Sequence, residues 1–109
     1  MPLDPDRTLN LSVQVVPLGG DVYEIVDHAI DVIASSGLYY EVGPMETVME
    51  GKLDDLLDTA KAAHLACFEA GADSVMTYIK IGDHVHGTTI NEKVGKYRSG
   101  DEAQSLDES

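Results

Sequence analysis

The sequence contains no tryptophan, one phenylalanine, one cysteine and only seven basic residues among 109. Each scarcity removes a class of protein. A single thiol, Cys67, cannot close a disulfide within the chain, so the fold has no covalent staple and suits reducing surroundings. Seven Lys and Arg against twenty Asp and Glu leave a formal net charge of −13. Such a surface repels the phosphates of nucleic acid and anionic lipid headgroups. No apolar run approaches the roughly 20 residues that a membrane-spanning helix needs. The first residues, Met1-Pro2-Leu3-Asp4-Pro5-Asp6, lack the basic-then-apolar order of a secretory signal. The expectation is a cytoplasmic protein with no nucleic-acid or membrane partner. Scarce aromatics also mean that any core is aliphatic.

What is present suffices for one core. Hydrophobic residues make up 43% of the chain, too many for a disordered protein and ordinary for a single small domain. Residues 1–8 and 99–109 read as flexible termini around a domain at 9–98. Leu9 to Val16 alternates as a strand, with Leu11, Val13 and Val15 on one face and Ser12, Gln14 and Val16 on the other. Pro17, which has no N–H, is expected to end that ladder, and Gly19-Gly20 to make the turn. Asp21 then caps a helix whose apolar residues, Val22, Ile25, Val26, Ala29, Ile30 and Ile33, recur at steps of three and four. Gly37 is placed to end it with a positive φ. Leu38–Val42 and Thr47–Glu50 flank a Gly43-Pro44-Met45 turn and read as a hairpin. A second helix is expected to bury Leu53, Leu56, Leu57, Ala60, His64, Cys67 and Phe68, and a fourth strand runs from Ser74 to Ile81.

The element order is therefore β-α-β-β-α-β. With right-handed crossovers this gives an α+β, ferredoxin-like sandwich: a four-stranded antiparallel sheet with both helices on one face. Thr88–Ile90 could add a short edge strand. Asn91 could cap an extra C-terminal helix through Tyr97, with Lys96 and Arg98 at its end.

Catalytic machinery is sparse. His64 and Cys67 share a helix face at i, i+3, a spacing that can activate a thiolate. That face is otherwise Leu, Ala and Phe, so the pair reads as core packing. His84-Val85-His86 beside Asp83 could begin a metal site, but no further ligand cluster accompanies it and a solvated loop is the simpler reading. Gly19-Gly20 matches no phosphate-binding fingerprint, and Asp21 would repel an anion there. No catalytic residue, metal site or cofactor is assigned, and the expectation is a protein that is not an enzyme. The hairpin holds the densest chemistry. Tyr39, Tyr40, Glu41, Thr47 and Glu50, with Gln14 within reach on the first strand, combine aromatic faces, carboxylates and hydroxyl and amide groups. A pocket for a flat aromatic cation needs those elements. The same residues could equally form a polar outer face packed in an oligomer.

Several stretches also resemble the thiamine-binding family of small ferredoxin-like proteins. They are Ser12-Val13-Gln14-Val15-Val16-Pro17-Leu18-Gly19, Ser36-Gly37-Leu38, Tyr40-Glu41-Val42-Gly43-Pro44-Met45-Glu46-Thr47 with Glu50-Gly51 behind it, Phe68-Glu69-Ala70-Gly71-Ala72-Asp73, and Ile90-Asn91-Glu92-Lys93-Val94-Gly95-Lys96-Tyr97-Arg98. The resemblance covers about residues 10 to 98. It implies the ferredoxin-like fold, assembly as a homotetramer built from two dimers, and non-catalytic binding of thiamine or its hydroxymethyl-pyrimidine half. Glu41, Thr47 and Glu50 match the family's motif, and with Gln14 and Tyr39 from the reading of the hairpin they are the expected ligand-binding residues. By strand alternation Thr47 and Glu50 fall on opposite sheet faces. The competing function is a regulatory or assembly module with a different small-molecule ligand, or none.

Overall fold

A computed structural model describes residues 2–90 of the chain. The elements are β1 (Leu9–Leu18), α1 (Val22–Ala34), β2 (Tyr39–Val42), β3 (Thr47–Gly51), α2 (Leu53–Glu69) and β4 (Ser74–Gly82). They form one antiparallel sheet in the order β2-β3-β1-β4 with both helices on one side. The ferredoxin-like α+β expectation is borne out. The expected helix from Asn91 to Tyr97 and the tail at 99–109 lie outside the described residues.

β1 is the central strand. It pairs with β3 from Leu9↔Gly51 to Val13↔Thr47, and with β4 from Asn10↔Gly82 to Leu18↔Ser74. Pro17 therefore does not end the ladder. It lies within β1, opposite Val75. Beyond Val13 only β4 flanks the strand, and the open side tolerates a residue without an N–H.

Leu9, Leu11 and Val13 of β1, with Met49 of β3, line the helix side of the sheet. Ile25, Ala29 and Ile33 of α1 and Leu56, Ala60, Ala63 and Cys67 of α2 close over them. Asp21 caps α1, its carboxylate accepting from the Glu24 N–H at 3.2 Å. Gly20 is required on two counts. Its φ is +78°, and a Cβ there would meet the Gly71 carbonyl oxygen at 3.0 Å.

α2 is rotated relative to the sequence reading. Ala63 and Ala66 are buried, Leu57 and Phe68 are exposed, and His64 is half-buried. Small alanines let α2 approach α1, so the buried stripe turns toward the helix pair. The larger Leu57 and Phe68 are left on a flank. The segment Thr88–Ile90 is not a strand. Instead the Thr88 N–H donates to the Thr8 carbonyl at 2.7 Å, and the Ile90 N–H donates to the Glu50 carboxylate at 2.7 Å. Those two bonds take the backbone donors that a ladder would have used.

The segment before β1 is also held. Asp4 N–H donates to the Val85 carbonyl at 3.1 Å. Arg7 makes a two-pronged contact to Asp83, Nε to Oδ1 at 2.7 Å and Nη2 to Oδ2 at 2.8 Å. The hydrogen bond and charge of Arg7 hold the Asp83 carboxyl below its ordinary range.

Two outcomes follow from this arrangement. Leu56→Ala removes a fully buried side chain and should cost about 2–5 kcal/mol, read from denaturant unfolding. The clasp between Arg7 and Asp83 has the sign of a depressed carboxyl. Its contribution is complete above the unfolded value of about 3.9 and disappears as pH falls through the lower folded value. Amide exchange at Asp4 and Arg7 should therefore accelerate selectively in acid, and an Asp83→Asn variant should show the faster exchange already at neutral pH.

Candidate functional site

Because side chains alternate along a strand, the register of β1, β2 and β3 decides where each candidate residue points. Thr47 pairs with Val13 and Val42, and all three lie on the helix side. Tyr39 pairs with Glu50, which pairs with Asn10, so these share a row on the opposite, outer face. Glu41 pairs with Val48 and lies one row further along that outer face. Gln14 pairs with Tyr78 and has its side chain there too. One chain therefore brings Gln14, Tyr39, Glu41 and Glu50 to one face of the sheet and Thr47 to the other.

On the helix side, Thr47 borders a cleft of about 110 Å³. Its walls are Val13 and Val15 of β1, Val26, Ala29, Ile30 and Ile33 of α1, and the hairpin from Val42 to Thr47. The turn over its mouth is fixed by the Gly43 N–H, which donates to the Glu46 carbonyl at 2.8 Å. The lining is almost wholly aliphatic, and Thr47, at its base, is buried. An apolar slot with one polar group at its base suits a flat ring that presents a donor or acceptor at one edge.

The outer face is polar. The Tyr39 hydroxyl donates to Glu41, and Lys80 pairs with Glu46 at 3.3 Å. Glu50 is engaged by the Ile90 N–H. Asn10 and Ser12 are buried here and are not among the residues that the sequence singles out. Asn10 is 4% exposed, and both amide atoms lack a partner among the described residues. Extending the β1 alternation two residues back from Ser12 places it beside Glu50, the one signal that could have found it.

The remaining candidates resolve into local structure. The Cys67 thiol donates to the Ala63 carbonyl at 3.5 Å, and burial pushes its pKa up. His64 shares its hydrogen bond with Thr77 on β4 instead of with the thiol. The His84 and His86 rings lie 5.8 Å apart, and His84 Nδ1 accepts from the His86 N–H at 3.1 Å. Among the described residues no three metal-ligating side chains converge, and no helix is long and apolar enough to cross a membrane.

Comparison with known proteins adds to this geometry. Residues 11–98 match the family model described as thiamine-binding protein. A UPF0045 protein of Clostridium perfringens is 50% identical over 93 residues, which span 84% of this chain and 98% of that protein. A solved structure from Bacillus cereus, a domain of unknown function named DUF77, is 50% identical with a TM-score of 0.84 and covers 87% of this chain and 94% of its own. A Thermotoga maritima protein whose name proposes thiamine biosynthesis or salvage is 35% identical with a TM-score of 0.77, covering 84% and 99%.

The thiol's burial gives a direct expectation. Cys67 in the native protein should resist alkylation at neutral pH and should label only at the rate of unfolding. Rapid labelling of the folded protein would show a reactive thiolate.

Proposed function

The chain belongs to the thiamine-binding protein family, and on that premise we propose that it binds thiamine, or the hydroxymethyl-pyrimidine half of it, without transforming it. The observation that carries the reading is the aliphatic cleft with the buried Thr47 at its base. An apolar cavity of roughly 150 Å³ holds a benzene ring, so a cleft of about 110 Å³ that is open at its mouth suits one ring. The aminopyrimidine enters between Val13, Ile30 and the hairpin, and Thr47 hydrogen-bonds its edge. The cationic thiazolium stays at the mouth, where a chain of net charge −13 attracts it, moderately at physiological salt. Thiamine is the ligand here and not a cofactor.

In this reading Gln14 borders the cleft through its backbone between Val13 and Val15. Tyr39, Glu41 and Glu50 sit across the sheet from Thr47. They reach a ligand in this cleft only from another copy, or else serve the face on which copies pair. The protein works in the cytoplasm as a homotetramer of two dimers. An assembly module with another ligand, or with none, is the competing function.

The test is a thermal melt with and without thiamine or the pyrimidine alcohol, followed by titration calorimetry. Ligand at 100 times its Kd adds about 2.7 kcal/mol of stability, a rise of several degrees in Tm for a domain of this size. Thr47→Val keeps the shape and removes the hydroxyl. It should weaken binding about five- to tenfold, the equivalent of one hydrogen bond of roughly 1 kcal/mol. No shift with either ligand at millimolar concentration would reject the binding reading and favour the assembly module.

A further inference from the structure

The cleft is bounded by main chain as well as by side chains. β3 pairs with β1 only as far as Thr47, opposite Val13, while β1 continues to Leu18 against β4 alone. Beyond Val13, β1 therefore has an edge with no strand beside it among the described residues. Gln14 and Val15 on that edge line the cleft.

Strand geometry decides which backbone groups face the edge. In an antiparallel sheet the N–H and C=O of one residue point to the same neighbour, and successive residues alternate between neighbours. The Glu46 carbonyl accepts from the Gly43 N–H and so faces the β2 side of the hairpin. Thr47, the next residue, then faces β1, where it meets Val13. By the same alternation the N–H and C=O of Val15 point as those of Val13 do, toward the side that β3 has left. Pro17 agrees with this parity. It sits opposite Val75 in a ladder that runs unbroken from Asn10 to Leu18, so its ring nitrogen is turned to the open side. No backbone group of a turn or loop among the described residues bonds to Val15 there.

The opening is one residue wide. Val13 is already paired with Thr47, and Pro17 has a carbonyl but no N–H. Val15 alone sets a donor beside an acceptor on this edge. An added peptide strand needs a series of such pairs, whereas a flat ring with one donor–acceptor edge needs a single pair. The walls suit a ring as well, with Val26 and Ile30 of α1 on one side and Pro44 and Met45 of the hairpin on the other. Val15 is half-buried, so a ring seated against it shields both bonds from water.

We infer that the main chain of Val15 is the specificity-determining group of the cleft, and that it selects heterocycles with an amino group beside a ring nitrogen. The ring nitrogen accepts from the Val15 N–H, and the amino group donates to the Val15 carbonyl. The ligand thus makes the two bonds that one more residue of β3 would have made. The other ring nitrogen of an aminopyrimidine is left for Thr47. This deepens the proposed function and rests on it, by naming the edge of the ligand that is read and the backbone groups that read it.

Amide hydrogen exchange of the full chain, followed by nitrogen–proton NMR, reads the donor directly. In the free protein the Val15 amide should exchange about tenfold or more faster than those of Gln14 and Val16, which face β4. Saturating pyrimidine alcohol should slow Val15 by a similar factor and leave Gln14 and Val16 unchanged. Calorimetry reads the pair of bonds. An analogue of the alcohol without its amino group should bind the wild type about tenfold more weakly than the alcohol. Val15→Pro removes the N–H on the open side and keeps the β4 ladder, as Pro17 does. It should bind the alcohol about tenfold more weakly than Val15→Ala, which keeps the N–H. Should circular dichroism show Val15→Pro unfolded, the exchange and the analogue decide by themselves. Slow exchange at Val15 in the free protein would overturn the inference without any ligand. Binding of the alcohol with Val15 exchange unchanged, or with the analogue bound equally well, would overturn it and leave the binding reading standing. Failure of both the alcohol and thiamine to bind at millimolar concentration would overturn the binding reading and this inference together.

Discussion

Two helices cover one face of a four-stranded sheet, and the chain has only one helical layer among its described residues. Strand alternation makes this a strict constraint. Every second side chain of β1 and β3 enters the dry side, and the others face away from the helices. Leu9, Leu11, Val13, Thr47 and Met49 belong to the first set. Asn10, Ser12, Gln14, Val48 and Glu50 belong to the second. A shift of one residue in either strand would exchange the two sets, so the apolar pattern of β1 fixes the register of the whole sheet. The cleft, the outer polar face and the open edge all follow from that partition.

Much of this partition is legible in the sequence. The alternation in β1, the Asp21 cap, the glycine at 37 and the hairpin between Val42 and Thr47 all stand out as local patterns. Each reports a short-range preference that the tertiary structure does not oppose. The opposition of Thr47 and Glu50 is legible too, because it needs only the parity of residue numbers along a strand. The readings that fail depend on neighbours. Pro17 reads as a stop, yet β1 has only one flanking strand at that point and the ladder continues through it. Thr88–Ile90 reads as a strand by composition, but its N–H groups are taken by Thr8 and Glu50. For α2, hydrophobicity favours Leu57 and Phe68. The packing of two helices on one sheet favours small residues, so Ala63 and Ala66 take the buried positions. Helical periodicity ranks side chains by size and polarity and does not weigh how closely a second helix must approach.

The candidate site is legible as a set of residues and not as a place. Tyr39, Glu41, Thr47 and Glu50 are neighbours in sequence because a hairpin joins them, yet the sheet itself lies between Thr47 and the other three. Asn10 escapes notice because an amide at the start of a strand carries no pattern of its own. Its row partner Glu50 is in turn engaged by the Ile90 N–H, a contact 40 residues away in sequence.

The separation of the two faces links ligand to assembly. A single copy offers a ring-sized cleft on one side and a band of carboxylates and tyrosines on the other. It cannot wrap both halves of a two-ring cation, because a sheet that is hydrogen-bonded throughout has no passage from one face to the other. A protein of this design can bind one ring within a copy, but it can surround a larger ligand only where copies meet. A pairing face against face would cover Tyr39, Tyr78 and Met76, each about half exposed in a single copy. One helical layer covers one sheet face and leaves the other face open in a single copy.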